Sequence, residues 1–138
     1  MASKPKVLCI DDQPENVRIR AMLLEQFGCE VTTVADHQGT LQAVSSHPFD
    51  LLVIDYHLAH GETGEEIARD IRVIRPELPL IMLTGDTKLP DSASESVDAV
   101  LIKGASDPRA LLDLVEKLVP GAKLRPRRPP TKPSAEAS

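Results

Sequence analysis

Short apolar runs alternate along the chain with longer segments in which apolar residues recur every three or four positions. Five runs have the length and composition of strands: KVLCI (6–10), CEVTTVA (29–35), FDLLVID (49–55), LPLIMLT (78–84) and VDAVLIK (97–103). The third run is apolar along most of its length, which indicates burial on both faces. The pattern therefore predicts five strands of a parallel sheet.

Helical spacing occupies most of the segments between and after these runs. Helices are predicted over 15–27, 37–47, 64–75 and 107–119. Pro14 suits the first helical position, and Asp36 and Asp107 suit the residue that caps a helix. Segment 85–96 contains Pro90 and several Ser and Asp residues, so we expect a short or irregular helix there. The alternation predicts one doubly wound α/β domain over residues 5–119.

The remaining residues, 120–138, differ in composition from the domain. They hold five of the 12 prolines, and their side chains carry a net charge of +4 against −9 for residues 1–119. We expect this tail to be disordered or extended. A solvated linker is one interpretation of its charge, and docking to an acidic partner or an incidental nucleic-acid contact are the others.

Composition narrows the class of protein. Of 138 residues, 41% are apolar and 27% charged, as in soluble globular proteins, but only 2% are aromatic. An aromatic platform for single-stranded nucleic acid is therefore not expected, and the net charge of −5 argues against a general nucleic-acid-binding surface. Cys9 and Cys29 are interpreted as buried thiols in preference to a disulfide. With no signal peptide and no membrane-spanning run, we expect a cytoplasmic protein.

Polar residues stand where four of the predicted strands end. In doubly wound sheets ligands bind beyond the carboxyl ends of the strands, and these ends carry Asp11–Asp12, Asp55, Thr84 and Lys103. Clustered carboxylates repel one another unless a cation neutralises them, and Mg²⁺ prefers such oxygen ligands. Lys and Thr suit a dianionic group, and an Asp can itself accept a phosphoryl group. The sequence therefore predicts a phosphoaspartate site.

In these motifs the chain resembles response-regulator receiver domains, the phosphoacceptor modules of two-component signalling. The resemblance runs from about residue 5 to 119, and its motifs are Asp11–Asp12 after VLCI, Asp55 after LLVI, Thr84–Gly85 after LPLIML and Lys103 after DAVLI. It implies a flavodoxin-like fold with five parallel strands in the order 2-1-3-4-5. It also implies a signalling phosphoacceptor that assists its own phosphorylation and dephosphorylation, and not an enzyme.

The resemblance also implies a role for each matching residue. Asp55 would accept the phosphoryl group from a phosphohistidine of a sensor histidine kinase or a phosphotransfer protein. The Mg²⁺ ligands would be Asp12, Asp55 and the backbone carbonyl of His57, with Asp11 acting through a water molecule. Thr84 and Lys103 would contact the phosphoryl oxygens.

Two positions depart from the family pattern. Gly104 follows Lys103 where the family usually has Pro, often after a cis bond, which leaves the placement of Lys103 open. Val100 replaces an aromatic residue whose rotamer is coupled to the Thr in the family. A Thr–aromatic switch cannot operate with Val, so signalling would rely on segment 85–96, or the chain would be a phosphate relay or sink.

Other functions compete with this interpretation. A degenerate receiver would act as an interaction module without phosphorylation. An aspartate phosphatase usually needs a second carboxylate two residues after the nucleophile, where this chain has His57. A transition-metal site at His57 and His60 rests on a common spacing, and oxygen ligands fit the rim better. The nineteen residues after the domain are too few for a DNA-binding domain, so we expect a stand-alone receiver with a protein output partner, or a fragment.

Overall fold

A computed structural model of the chain describes residues 4–86, 88–103, 108–122 and 124. The strands are β1 Lys6–Ile10, β2 Glu30–Val34, β3 Leu51–Asp55, β4 Leu80–Thr84 and β5 Ala99–Ile102. The helices are α1 Pro14–Gln26, α2 His37–Ser46, α3 Gly64–Ile74, α4 Asp91–Glu95 and α5 Pro108–Leu118, and a 3₁₀ turn spans Ala59–Gly61. Each predicted strand and helix is present, with boundaries that differ by a few residues.

The five strands form one parallel sheet in the order β2-β1-β3-β4-β5. The predicted fold class and strand order are confirmed. The order reverses between β1 and β3, where Ile10 pairs with Ile54. This reversal places the carboxyl ends of β1 and β3 side by side, which is where doubly wound sheets bind their ligands.

Aliphatic side chains cover both faces of the sheet. One core cluster joins Val7, Val53 and Ile81 to helices α1 and α5, and the other joins Leu8 and Ile54 to α2 and α3. Every residue of β3 and β4 is buried, so the continuous apolar run of β3 serves both faces, as predicted. The two central strands therefore hold the site residues at their ends in a rigid, packed frame.

The segment between β4 and β5 is the least regular part of the domain. Helix α4 has five residues, begins after Pro90 and buries Ala93. The expected short fourth helix is thus present. Strand β5 begins at Ala99, two residues later than predicted. The residue before it, Asp98, bonds to β4 through its side chain: its carboxylate oxygen Oδ2 accepts the Leu80 amide at 2.7 Å. That contact fixes the start of β4 from the side.

Several sequence expectations concern single residues. Asp36 caps α2, with Oδ1 accepting the Gly39 amide at 2.6 Å. Cys9 and Cys29 are free and buried, as interpreted from the sequence. Asp107, Gly104 and most of the tail lie outside the described residues, so the predictions made for them stay predictions. None of the helices in the described part of the chain has the length and hydrophobicity to span a bilayer.

Candidate functional site

The carboxyl ends of β1 and β3 bring three aspartates together. Oxygen atoms of Asp11, Asp12 and Asp55 all lie within 4.8 Å of one another. Asp11 is 1% exposed and Asp55 5% exposed, whereas Asp12 is half-buried. In the described part of the chain this is the one group of three or more acidic, His or Cys side chains spaced to hold a metal. The predicted acidic cluster is therefore formed.

The two buried carboxylates differ in their partners. Asp11 Oδ1 accepts the Gln13 amide at 2.9 Å, and Asp11 Oδ2 accepts a hydrogen bond from Arg20 Nη1 at 3.3 Å. Asp55 Oδ1 lies 2.8 Å from Lys103 Nζ, which is also 3.9 Å from Asp11 Oδ2. The Asp12 carboxylate accepts no hydrogen bond from the described residues. Asp12 is thus the carboxylate of the three with its oxygens open to a cation.

Lys103 reaches the cluster from the end of β5. Its amide donates to the Thr84 carbonyl at 2.7 Å, which continues the pairing of β4 with β5 by one residue. The departure at Gly104 left the placement of Lys103 open, and the structure directs its ammonium group to Asp55. Gly104 itself lies outside the described residues.

Thr84 is the last residue of β4 and is buried. Asp55 pairs with Leu83, so Thr84 lies one residue beyond the partner of Asp55 in the neighbouring strand. Its Oγ1 accepts the Asp86 amide at 3.0 Å, which turns the chain away from the sheet. Thr84 therefore lies at the same rim as the aspartates, as the strand pattern predicts.

His57 belongs to the loop between β3 and α3. The Gly64 amide donates to the Tyr56 carbonyl at 2.7 Å, and His57 forms an isolated bridge with Thr63. The rings of Tyr56 and His57 meet edge to face at 4.8 Å. His57 Nε2 lies 2.8 Å from Asp86 Oδ2, so an exposed hydrogen bond joins the loops after β3 and β4. The His57 side chain is directed to Asp86. The side chain of His60 is not among those that the structure describes.

Burial dominates the electrostatics of Asp55. It raises the pKa of the Asp55 carboxyl above its ordinary value of 3.8, and the negative charge of Asp11 adds to that rise. The hydrogen bond and positive charge of Lys103, with a further contribution from Arg20, oppose the rise without cancelling it. A divalent cation at the cluster would favour the ionised carboxylates. The three hard oxygen donors suit Mg²⁺ in preference to a soft transition metal.

Arg20 is a functional candidate that the sequence analysis did not single out. It lies on α1 between the buried residues Val17 and Leu24, and its side chain is 11% exposed. A charged residue on the apolar stripe of a helix was the available signal. Its partner was not readable from the sequence, because Asp11 precedes the helix and the contact depends on how α1 packs.

Comparisons with known proteins agree on one family. A family model described as the response regulator receiver domain matches residues 7–118. The chain is 32% identical over 121 residues to the sensor protein GacS of Pseudomonas syringae pv. syringae, covering 82% of this chain and 13% of that protein. It is 35% identical over 85 residues to the sensor histidine kinase GacS of Pseudomonas protegens, covering 58% of this chain and 9% of that protein. The chain thus spans roughly a tenth of the length of these relatives.

A solved structure with the same fold comes from Thermotoga maritima. It is the response regulator TrrA in complex with Mg²⁺–BeF, with a TM-score of 0.77 and 26% identity. The match covers 83% of this chain and 99% of that one.

Proposed function

The chain belongs to the response regulator receiver domain family, and we propose that it is a phosphoacceptor of two-component signalling that takes the phosphoryl group on Asp55. The carrying observation is the 2.8 Å contact between Lys103 Nζ and Asp55 Oδ1 beside the acidic cluster. A nucleophilic carboxylate, a cation site and a fixed ammonium are the components that phosphoryl transfer to an aspartate needs.

The proposed reaction forms one bond and breaks one. A carboxylate oxygen of Asp55 attacks the phosphorus of a phosphohistidine, and the bond between phosphorus and the imidazole nitrogen breaks. The imidazole keeps the electron pair and takes up a proton, and the product on this chain is an aspartyl phosphate. Lys103 and Thr84 are proposed to contact the phosphoryl oxygens, where charge develops.

The three aspartates fit a magnesium ion by their chemistry. Asp12, Asp55 and the backbone carbonyl of His57 are the proposed ligands, with Asp11 acting through a water molecule. A bound Mg²⁺ supplies charge neutralisation at the phosphoryl oxygens. The chain's own residues hold the acceptor in place: Asp55 ends a fully buried strand, and the Lys103 backbone amide donates a hydrogen bond to the Thr84 carbonyl.

The proposed phosphodonor is a sensor histidine kinase or a phosphotransfer protein. Helix α1 starts directly after the acidic cluster and exposes Ile19 by 68% and Met22 by 53%. Residues three apart on a helix share a face, so these two form an apolar patch on the exposed side of α1. The patch supports docking of the donor on α1.

Other parts of the proposal follow the family resemblance. The chain is proposed to be a signalling phosphoacceptor and not an enzyme, to pass its signal to a protein partner and to bind no DNA directly. The cytoplasmic location and the stand-alone architecture expected from the sequence stay predictions.

The competing function is a receiver that acts as an interaction module without phosphorylation. The observation that favours it is Val100, which is half-buried on β5 opposite Met82. A Val side chain cannot turn inward and outward as an aromatic switch residue does.

Backbone amide shifts recorded with and without beryllofluoride distinguish a switch from a relay: changes confined to the rim loops would argue against a switch.

The first test is the intact mass of the protein after incubation with acetyl phosphate and Mg²⁺. We expect the gain of one phosphoryl group by the wild type and by Asp113→Asn, which removes an exposed acid on α5. Asp55→Asn and a metal-free sample should gain none. Absence of a gain in the wild type, together with no binding of beryllofluoride, would replace the phosphoacceptor proposal by the interaction module.

A further inference from the structure

Arg20 is a charged residue on the side of α1 that packs against the core, where apolar residues are usual. Val17 and Leu24 lie on the same stripe of the helix and are buried in the core cluster that contains β1. The Arg20 side chain is nearly as buried, at 11% exposure. Burial of a guanidinium is costly unless it is paired. Its partner therefore indicates what the residue does.

The partner is the acidic cluster. Arg20 Nη1 lies 3.3 Å from Asp11 Oδ2, and Asp11 is its single ion-pair partner among the described residues. The same oxygen is 3.9 Å from Lys103 Nζ. The other oxygen, Oδ1, accepts the Gln13 amide. Both oxygens of Asp11 thus already have positive or donor partners before any cation binds.

Arg20 changes the charge balance of the site. Three carboxylates, the guanidinium and the ammonium leave a formal charge of −1. A divalent cation alone would reverse this to +1 in a largely buried place. A divalent cation together with a phosphoryl dianion on Asp55 would bring the charge to zero. Without Arg20, the site would have no net charge with the cation alone bound. With the cation and the phosphoryl group together, it would have a net charge of −1.

Low-dielectric sites favour the combination of charges that cancels. We propose that Arg20 couples the two ligands of the site: it weakens binding of the divalent cation alone and strengthens binding of the cation together with the phosphoryl group. Arg20 is a positioning residue in this scheme, since it acts through Asp11. The inference rests on the proposed function, because it assumes that Asp55 carries the phosphoryl group.

The test is the coupling between the two ligands. Mn²⁺ serves as the probe cation because its free ion is counted by electron paramagnetic resonance, and beryllofluoride serves as the phosphoryl mimic. The measured quantity is the ratio of the Mn²⁺ Kd without beryllofluoride to the Kd with it. Four proteins are compared: the wild type, Arg20→Leu, Arg20→Lys and Arg18→Leu. Arg18 is exposed on the same helix, so Arg18→Leu is the control that removes the same charge from an exposed position.

We expect Arg20→Leu to tighten binding of Mn²⁺ alone by about tenfold, since a nearby positive charge is lost. The coupling ratio should fall by at least about tenfold, because beryllofluoride then adds uncompensated charge. Arg20→Lys keeps the charge and should restore most of the ratio. Arg18→Leu should leave it unchanged, because an exposed charge is screened by solvent and salt.

The outcomes separate the two proposals. A wild type that binds neither Mn²⁺ nor beryllofluoride would overturn the proposed function and this inference together. A wild type that binds both, with an unchanged ratio in Arg20→Leu, would overturn this inference alone. Equal effects of Arg18→Leu and Arg20→Leu would do the same, because they would show a general charge effect. If Arg20→Leu does not fold, as judged by circular dichroism, Arg20→Gln removes the charge with a polar side chain.

Discussion

Gly64 lies directly against the backbone carbonyl of Asp55. A methyl group on the Gly64 Cα would be 2.6 Å from the Asp55 carbonyl oxygen and 2.9 Å from Ile54 Cγ2. The Gly64 amide also donates to the Tyr56 carbonyl. Helix α3 therefore starts in contact with the strand that carries the proposed phosphoacceptor, and only glycine permits that approach.

Gly64→Ala should destabilise the protein by about 1–3 kcal/mol, because the nearest atom is backbone and cannot move aside as a side chain does. The measurement is urea unfolding followed by circular dichroism. Gly85→Ala is the matched control: apart from its chain neighbours, none of the described residues lies within 4 Å of the added methyl group, and the backbone there is not left-handed. Equal stability of Gly64→Ala and the wild type would show that α3 can shift without cost.

Asp55→Asn should change how stability depends on pH in the metal-free protein. The pKa of Asp55 is raised above 3.8 in the folded chain, so the folded state takes up the proton first as the pH falls. The group therefore opposes folding above its folded pKa, and this opposition disappears as the pH falls through that value toward 3.8. Asn carries no charge at any pH and should remove this part of the profile.

The corresponding measurement is the free energy of unfolding of both proteins between neutral pH and pH 4 in a chelating buffer. The free energy of unfolding of Asp55→Asn should exceed that of the wild type most at neutral pH, and this difference should shrink on acidification. A constant difference across the range would contradict a raised pKa. Asp113→Asn, at an exposed position, controls for loss of an acid elsewhere.

Asp98 should stabilise the amino-terminal ends of β4 and β5, which lie at the end of the sheet opposite the site. Its Oδ2 accepts the Leu80 amide at 2.7 Å and a hydrogen bond from Arg72 Nη2 at 2.9 Å. Asp98→Ala leaves a half-buried amide without its acceptor and should cost about 1–3 kcal/mol. Asp113→Ala, on the exposed face of α5, should cost little. Binding of Mn²⁺ should be the same in both variants, and a loss of binding in Asp98→Ala would show that the two ends of the sheet are coupled.

Cys9 and Cys29 should be unreactive while the chain is folded. Burial raises the pKa of the Cys9 thiol to about 12 and that of Cys29 to about 11, and the thiolate is the reactive form. Ellman's reagent at pH 8 should therefore release almost no colour from the native protein and the equivalent of two thiols in guanidinium chloride. Rapid reaction of one thiol in the native protein would show that one face of the core opens.

Most of the site could be predicted from the residues at which the strands end. Apolar runs and their lengths identify the strands, and the rule for parallel sheets then places Asp55, Thr84 and Lys103 at one rim without any coordinates. The short fourth helix followed from Pro90 and its polar neighbours. These features depend on local sequence or on a general rule of fold, which is why a single chain suffices to predict them.

Contacts between distant side chains were not predictable in this way. Arg20 was not singled out from the sequence, yet it is buried on Asp11. Met22 is an apolar residue of the predicted helix 15–27, yet it is exposed on α1. Asp98 was counted as strand, yet its carboxylate joins β4 to α3. Each depends on the rotation of a helix or the exact end of a strand, and periodicity fixes neither to better than a residue or two.

The position of Tyr56 makes the site observable by light. The chain has one Tyr and no Trp, and that Tyr directly follows Asp55 with its ring edge to face with His57. Fluorescence excited at wavelengths that the two Phe residues do not absorb therefore originates from one ring at the rim. A change in that signal on adding a cation or a phosphoryl mimic reports on the surroundings of the acceptor strand, with no dye, label or added tryptophan.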